Sequence, residues 1–338
     1  RFEMLAENAG SGLSVLGEVP RVELDQWLAF LDAVGAGADD SGNAAGFNQV
    51  LNVVDINAEI LSIYDQELPA VAVRLQPDNS RQGWRTELAG ETVAGTVVIP
   101  YFAPDYLDID LSHLRLPGDP EAELAAAQQE VGVDEPERTD PLAAIDPRDL
   151  PPMRFATDEL SIGERAFGSW QFTLTPTAEG AEFDDLAFDF RGLRLGLDET
   201  GEEMQQLTPH FSWRYDGTSH RSALTGVLTA GDIGDVLLAN GLAASLISSR
   251  ARFVADVNWP GSPAFFSGDE LSGQLDMLIE DGRFLQESGG GGALKLVSII
   301  NFSAIMRRLR FSDDLLRRGL AFDEITGQMA LEIGRAHV

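Results

Sequence analysis

The sequence has no cysteine and a single lysine, Lys295. The absence of cysteine excludes disulfide bonds and thiol chemistry. No uncharged apolar run reaches roughly 18 residues, so the sequence predicts no transmembrane helix. The chain has 55 acidic and 24 basic residues in 338, a formal net charge of −31. Such a surface repels phosphate backbones, and we therefore expect no nucleic-acid partner.

Motifs of common enzymes are missing as well. No His-x-x-His or His-Glu-x-x-His spacing predicts zinc, and neither a Gly-x-Ser-x-Gly elbow nor a phosphate loop is present. His210 and His220 flank one predicted strand and could meet across a hairpin as a surface pair. The pairs Asp39-Asp40, Asp184-Asp185 and Asp313-Asp314 could hold a glycosidase acid and nucleophile, but a chain this acidic contains such pairs by chance. We expect no cofactor, no metal and no enzymatic activity, and keep an acidic carbohydrate-active enzyme as an alternative.

Alternation of apolar and polar residues is the dominant pattern of the chain. Between 251 and 259 every second residue from Ala251 to Trp259 is apolar, and between 273 and 279 Leu275, Met277 and Ile279 repeat the pattern. Two such strands predict antiparallel neighbours with one apolar and one wet face. Roughly a dozen and a half such strands without a βαβ rhythm predict a mainly β fold, and an open sheet that long must curl, close or split. Periodicity alone leaves open whether the apolar faces form a sandwich core or a groove wall.

The domain organisation predicted from composition has four parts. Residues 1–116 form a β-rich segment with one N-terminal amphipathic helix at 22–34, and residues 153–331 form a second β-rich segment. Between them, 117–152 is an acidic, Pro- and Ala-rich insertion that we interpret as largely disordered. Residues 332–338 break the preceding pattern and are interpreted as a non-native tail. Within the second segment, the apolar stretch 294–309 predicts a helix that lies on an apolar surface.

Several motifs at the end of the insertion and in the second segment occur together in a distinctive order. They are Asp146–Pro151, Thr229–Asp235, Trp259–Pro263, Asp281–Leu285 and Phe311–Gly327. In this order they resemble the C-terminal half of the YhdP group of AsmA-like envelope proteins, which are relatives of TamB. The resemblance is clear from Asp146 to Leu331. It departs from the family at Glu287–Gly292, where the family usually has a proline and a basic residue beside the glycines.

The resemblance implies a long, twisted, open antiparallel sheet with an apolar inner groove and a few short capping helices. Such proteins are anchored in the inner membrane of Gram-negative bacteria and conduct phospholipids across the periplasm toward the outer membrane. We therefore expect a periplasmic segment whose anchor lies outside this chain. Its expected partners are phospholipid acyl chains and, at the ends of the full-length protein, the inner and outer membranes or their proteins. The expected groove lining consists of apolar residues of alternating strands: Phe172, Leu174, Phe188, Phe190, Phe253, Val257, Trp259, Leu275, Met277 and Ile279.

A structural or assembly factor of the cell envelope is the main alternative to a lipid conduit. It would bind polypeptide rather than lipid, and its strands would enclose a filled, dry core. The same alternating strands serve either function, so the sequence leaves this alternative open.

Overall fold

The structure is a computed structural model that describes most of the chain in eleven stretches and three single residues. These are residues 13–23, 26, 51–63, 66–101, 105–117, 140, 142–163, 165–197, 208–239, 244, 246–266, 270–284 with 321–332, and 335–337. The contacts divide the chain into two compact units. Unit 1 contains residues 1–136 and 151–170, and unit 2 contains residues 137–150 and 171–338.

Unit 1 is built from strands β1 to β7 and the first part of β8. The strands are β1 (Leu13–Glu23), β2 (Leu51–Ile63), β3 (Gln66–Asp78), β4 (Gly83–Ala89), β5 (Val93–Pro100), β6 (Leu107–Leu116), β7 (Met153–Ile162) and β8 (Arg165–Thr177). From β2 to β6 each strand pairs antiparallel with the next. The pairs β1–β2 and β6–β7 are parallel, so the predicted mainly β fold is confirmed, but the sheet is mixed rather than purely antiparallel. Parallel neighbours require a long crossover connection, and the chain provides one at residues 24–50 and another at 117–152.

The strand register of unit 1 collects apolar residues on one face. One cross-strand row runs from Val54 in β2 to Phe155 in β7 and contains a single hydroxyl, that of Thr86. Buried side chains from β1 to β6 pack there into one cluster, and half-buried apolar side chains such as Val73, Ile109 and Phe155 pack against it. The buried members are Val22, Leu51, Val54, Ile56, Ala58, Leu61, Leu68, Val71, Leu75, Trp84, Val93 and Leu111.

Unit 2 continues with nine strands and one α-helix among the described residues. They are β9 (Gly180–Phe190), β10 (Leu193–Leu195), β11 (His210–Tyr215), β12 (His220–Ala230), helix α1 (Ile233–Ala239), β13 (Leu246–Ile247), β14 (Arg250–Pro260), β15 (Ser272–Phe284), β16 (Ala321–Glu332) and β17 (Arg335–His337). Strands β10 and β11 lie one after the other between β9 and β12. The sheet continues from β12 through β14, β15 and β16 to β17, and each of these pairs is antiparallel. The predicted pairing of the strands around Phe253 and Met277 is confirmed.

The C-terminal part of the predicted acidic insertion is folded and belongs to unit 2. Residues 142–150 form turns and a short 3-10 helix, Pro147–Asp149, that begins where the Asp146 carboxylate accepts a hydrogen bond from the Arg148 amide. Pro147 is fully buried, and the 3-10 helix packs against β9 and β11. The interpretation of 117–152 as a solvated insertion therefore does not hold for this part, because proline and apolar residues there find a surface to cover.

Some sequence predictions fall on residues outside the described ranges. They concern the helices at 22–34 beyond Glu23 and at 294–309, the pairs Asp39-Asp40 and Asp313-Asp314, and residues 118–139 of the insertion. Within the predicted non-native tail, β17 pairs with β16, and the origin of that tail stays a prediction.

Candidate functional site

The strand register places the apolar residues of β12, β14, β15 and β16 on one face, here called the apolar face of unit 2. Phe253 lies opposite Leu228 on one side and Met277 on the other. Ile279 lies between Ala251 and Ile325 in the same way. The opposite face, here called the wet face, is mostly polar, although it also carries the apolar residues Val227, Val254 and Leu278. Its polar and charged residues are Arg252, Asp256, Gln274, Asp276, Glu324 and Gln328.

A row of aromatic rings extends this face across β9 and β11 to β8. The ring centroids of Phe172 and Phe183 are 5.3 Å apart, those of Phe183 and Phe211 5.0 Å, and those of Phe211 and Trp259 5.7 Å. The planes are tilted or perpendicular, as favourable aromatic pairs require. The row therefore places Phe172 on the same face as Trp259, and strand alternation adds Leu174.

A bulge in β9 brings further phenylalanines to this face. Phe183 pairs through Phe211 with Leu224 of β12, and Phe188 pairs through β10 with Leu228 of the same strand. Residues 224 and 228 share a face, so β9 contains one residue more than β12 over this span. Asp185 is that irregularity, with φ of 51° in the left-handed region. The bulge lets Phe183 and Phe188 point to the same side although they are an odd number of residues apart.

All ten residues predicted to line a groove lie in unit 2 and share this face. Five of them are buried. The other five are half-buried, so part of each of these five side chains is accessible. The buried ones are Leu174, Val257, Trp259, Met277 and Ile279, and the half-buried ones are Phe172, Phe188, Phe190, Phe253 and Leu275. Their contact with lipid stays a prediction.

Helix α1 covers one end of the apolar face. Its Val236 packs into a cluster with Ala230, Ala251 and Ile279, and Phe284 completes this cluster. The helix is held at both ends by hydrogen bonds. The Asp232 carboxylate accepts from the amides of Gly234 at 2.8 Å and Ser248 at 2.9 Å, and Nη1 of Arg191 donates to the carbonyl of Ala239 at 2.9 Å.

The opposite end of the face carries two buried tryptophans in one cross-strand row. Trp213 and Trp259 lie on either side of Ser222, which is 0% exposed. Nε1 of Trp213 donates to Nδ1 of His220 at 3.1 Å, and Nε1 of Trp259 donates to the carbonyl of Ser262 at 3.1 Å. The apolar rings therefore lie inside the unit while both indole N–H groups reach polar partners at the rim.

The folded part of the insertion crosses this rim, and we call it the strap (Asp140 and residues 142–150). The Asp140 carboxylate accepts from the amide of Ser262 at 2.8 Å and from its hydroxyl at 2.6 Å. Burial raises the pKa of Asp140, but the hydrogen bonds from the hydroxyl and amide of Ser262 and from the Leu142 amide outweigh burial, so that the pKa lies below its ordinary value. The strap is thus attached through a carboxylate that stays ionised.

His220 provides the second attachment of the strap. Its Nε2 lies 3.1 Å from the carbonyl of Ala143, while Nδ1 accepts from Trp213. Both bonds form together in the neutral tautomer that carries its proton on Nε2. The imidazole also stacks on Tyr215 at 4.3 Å, and the guanidinium of Arg148 lies 5.2 Å from the Tyr215 ring centroid.

The sequence reasoning missed the residues of this rim. No local signal links Asp140 to Ser262, although Ser262 belongs to a motif that the sequence singled out. The predicted pairing of His210 with His220 is wrong. His210 lies opposite Thr225 on the wet face, 3.2 Å from the carboxylate of Asp184, whereas His220 lies on the apolar face.

The part of the chain that the structure describes offers no cluster of three or more histidine or acidic side chains suited to a metal ion. Its acidic residues serve the strands instead. Asp185 accepts a hydrogen bond from Thr173 at 3.1 Å, and Glu182 forms ion pairs with His210 and Arg214. The pair Asp184-Asp185 is therefore part of the bulge and its cross-strand contacts.

A family model described as YhdP protein matches residues 2–338. The chain belongs to the YhdP family. This family consists of AsmA-like envelope proteins, and membership indicates lipid transport in the cell envelope at a coarse level. No curated protein and no solved structure gives a significant match. Of the helices that the structure describes, none has the length and hydropathy of a membrane span.

Proposed function

We propose that the apolar face of unit 2 binds the acyl chains of phospholipids. In this proposal the chain is a non-enzymatic part of a periplasmic bridge, anchored in the inner membrane, that conducts phospholipids toward the outer membrane. Membership in the YhdP family supports envelope lipid transport at the coarse level. The observation that carries the proposal for this chain is a continuous row of apolar side chains from β8 to β16, some buried and some half-buried, with a mostly polar face on the other side of the same strands.

Such a face lowers the free-energy cost of moving acyl chains through water, because it replaces contact with water by contact with apolar side chains. Exposing a methylene to water costs roughly 0.8 kcal/mol, so a two-tailed lipid with about thirty methylenes would cost on the order of 25 kcal/mol. Phenylalanine, leucine and methionine side chains remove most of that cost by contact alone, without a catalytic group. The accessible edges of Phe253 and Leu275, which are half-buried, provide this contact.

Both units carry half-buried apolar side chains on their apolar faces. In unit 1, Val73, Leu88 and Ile109 are half-buried and pack against the buried cluster that extends from β1 to β6. In unit 2 the middle of the face, around Phe188 and Phe253, is half-buried. The proposal assigns tail binding to unit 2, because all of the predicted lining residues lie there.

Photocrosslinking in cells tests the proposal. A photoreactive amino acid replaces Phe253 or Leu275, and the adjacent positions Val254 and Asp276 on the wet face of the same strands serve as matched controls. We expect phospholipid adducts at Phe253 and Leu275 and several-fold fewer at the controls. Equal lipid capture on both faces, or polypeptide adducts in place of lipid at Phe253, would contradict the proposal. The second outcome would favour the assembly-factor alternative.

A charge on the face provides a second test. Phe253 is half-buried, so the carboxylate of Phe253→Asp stays in contact with water and the fold is kept. An acyl chain that passes this position must desolvate the carboxylate, which costs several kcal/mol. We expect a folded protein that no longer supports phospholipid transport, whereas Val254→Asp on the wet face should support it. Transport by Phe253→Asp at the wild-type rate would count against the proposal.

A further inference from the structure

The strap is attached at the tryptophan end of the apolar face. Trp213 and Trp259 are 3% and 5% exposed. The fixed points of the strap lie directly at these rings, because His220 and Ser262 accept their indole N–H groups and also bind the strap. Each tryptophan ring is a large apolar surface, so two buried rings represent a substantial area that an acyl chain could contact if they became accessible.

Polar contacts attach the described part of the strap at three residues of unit 2, Ser262, His220 and Tyr215. They are the two hydrogen bonds from Ser262 to Asp140, the contact of His220 with Ala143, and the stacking of Arg148 on Tyr215. The ion pair between Asp146 and Arg148 lies within the strap itself. Hydrogen bonds and cation–π contacts at a rim exchange with water at a small net cost, so release of the strap is easier than disruption of an apolar core.

The apolar contribution to this attachment is limited. Pro147 is fully buried, whereas Leu142 and Ile145 are half-buried and Ala143 is exposed. By contrast, helix α1 at the other end of the face is held by a cluster of buried aliphatic and aromatic side chains. The two ends of the face are thus covered in physically different ways.

We infer that the strap is a displaceable cover that controls access of acyl chains to the tryptophan end of the apolar face. With the strap attached, tails reach the middle of the face but not the rings of Trp213 and Trp259. Release of the Asp140–Ser262 and His220–Ala143 contacts opens a path for a tail to both rings, of which Trp259 keeps its contact with Phe266 at a centroid distance of 5.2 Å. This inference rests on the proposed binding of acyl chains by unit 2.

A chemical tether tests the inference in the full chain. The chain contains no cysteine, so Asp140→Cys with Ser262→Cys gives one unique pair. Because the two side chains are in direct contact, oxidation of the pair to a disulfide ties the strap down, and the same double variant, reduced and then blocked with a monofunctional maleimide, has lost the Asp140–Ser262 bonds and is free to open. A photoreactive amino acid at Phe211, beside Trp259, reports on the tryptophan end, and one at Phe253 reports on the middle of the face.

The readout is capture of tail-labelled phosphatidylethanolamine supplied in phosphatidylethanolamine–phosphatidylglycerol vesicles. We expect the tether to lower capture at Phe211 several-fold relative to the blocked protein and to leave capture at Phe253 unchanged. Equal capture at Phe211 in the tethered and blocked proteins would overturn the inference. Absence of capture at both positions in both proteins would overturn the proposed function itself.

A single substitution keeps the test decisive if the cysteine pair does not fold. Ser262→Ala removes the hydroxyl bond to Asp140 and retains the backbone, so the strap loosens without a tether. We expect higher capture at Phe211 in Ser262→Ala than in the wild-type chain and the same capture at Phe253. Unchanged capture at Phe211, with hydrogen exchange showing that the strap has loosened, would also overturn the inference.

Discussion

The thioether of Met277 lies over Gly327 of the neighbouring strand. A Cβ at position 327 would approach Cε of Met277 to 2.6 Å and Sδ to 3.7 Å. The glycine therefore provides the space in which Met277 is buried to 6% exposure. Close packing of a flexible side chain over a glycine makes these two residues one unit of the apolar face.

Substitution of this pair should be strongly non-additive. We expect Gly327→Val to destabilise unit 2 by about 1–3 kcal/mol, because it forces Met277 off its site, and Met277→Ala to cost about 2–5 kcal/mol through the cavity it leaves. In the double variant the valine fills part of that cavity, so the free energy of unfolding should lie above the additive value by at least about 1 kcal/mol. Chemical denaturation of the four proteins measures the coupling, and additive costs would contradict the packing.

The bulge in β9 predicts an unusual tolerance of a deletion. Removal of Asp185 leaves Phe183 and Phe188 an even number of residues apart, matching Leu224 and Leu228 on the partner strand. We expect this deletion to change the free energy of unfolding by no more than about 1–2 kcal/mol, because no apolar side chain changes face.

The matched control is deletion of Asp256 in β14. The register of this strand runs unbroken against both of its neighbours, so the deletion moves half of its apolar residues to the wet face. We expect this variant to lose cooperative unfolding as followed by circular dichroism. Equal damage by both deletions would show that the bulge is not the irregularity that sets the face of β9.

Thr86 predicts a stabilising substitution in unit 1. Its side chain is 6% exposed, lies in an otherwise apolar cross-strand row, and its Oγ1 has no hydrogen-bond partner in the structure. A buried polar group without a partner costs roughly 1–3 kcal/mol, so Thr86→Val should raise the free energy of unfolding by about 1 kcal/mol or more.

Thr157 provides the control for this substitution. It is 4% exposed, on the same face, but its Oγ1 donates to the carbonyl of Glu159 at 3.2 Å. We expect Thr157→Val to be neutral or destabilising in the same denaturation experiment. A loss of stability in Thr86→Val would mean that its hydroxyl has a partner after all.

The carboxylate of Asp140 predicts an acid-dependent attachment of the strap. Its pKa in the folded protein lies below the ordinary value. Such a group contributes stability that is fully present above the unfolded pKa of about 3.9 and is lost as the pH falls through the lower, folded pKa. The attachment should therefore be constant from pH 7 to about 5 and weaken below about pH 4.

Amide hydrogen exchange at Ser262, whose N–H donates to Asp140, measures this dependence. After correction for intrinsic exchange, protection at Ser262 should fall at acid pH in the wild-type chain and lose this pH dependence in Asp140→Asn. Ser219 is an internal reference, because hydrogen bonds from its amide and the Thr218 amide hold the pKa of Asp216 below the ordinary value. Its protection should fall at acid pH in both proteins, and an unchanged acid response of Ser262 in Asp140→Asn would contradict the assignment.

Local periodicity determined a large part of this protein. Alternation in the sequence identified β14 and β15 as antiparallel neighbours and assigned Phe253, Val257, Met277 and Ile279 to one face, because side chains of a strand alternate whatever surrounds it. The motifs from Thr229 onward indicated the family, because short segments and their order along the chain are visible in the sequence without a structure.

The tertiary structure alone decided which distant segments meet. The bulge at Asp185 reverses the alternation within β9 through one left-handed residue, for which the sequence has no glycine as a signal. The crossovers that make β1–β2 and β6–β7 parallel are also absent from any local pattern. Asp140 and Ser262 are 122 residues apart, and a hydrogen bond between them depends on the path of the whole chain. Propensity acts over a few residues, whereas closure of such long loops is fixed by the packing of the complete unit.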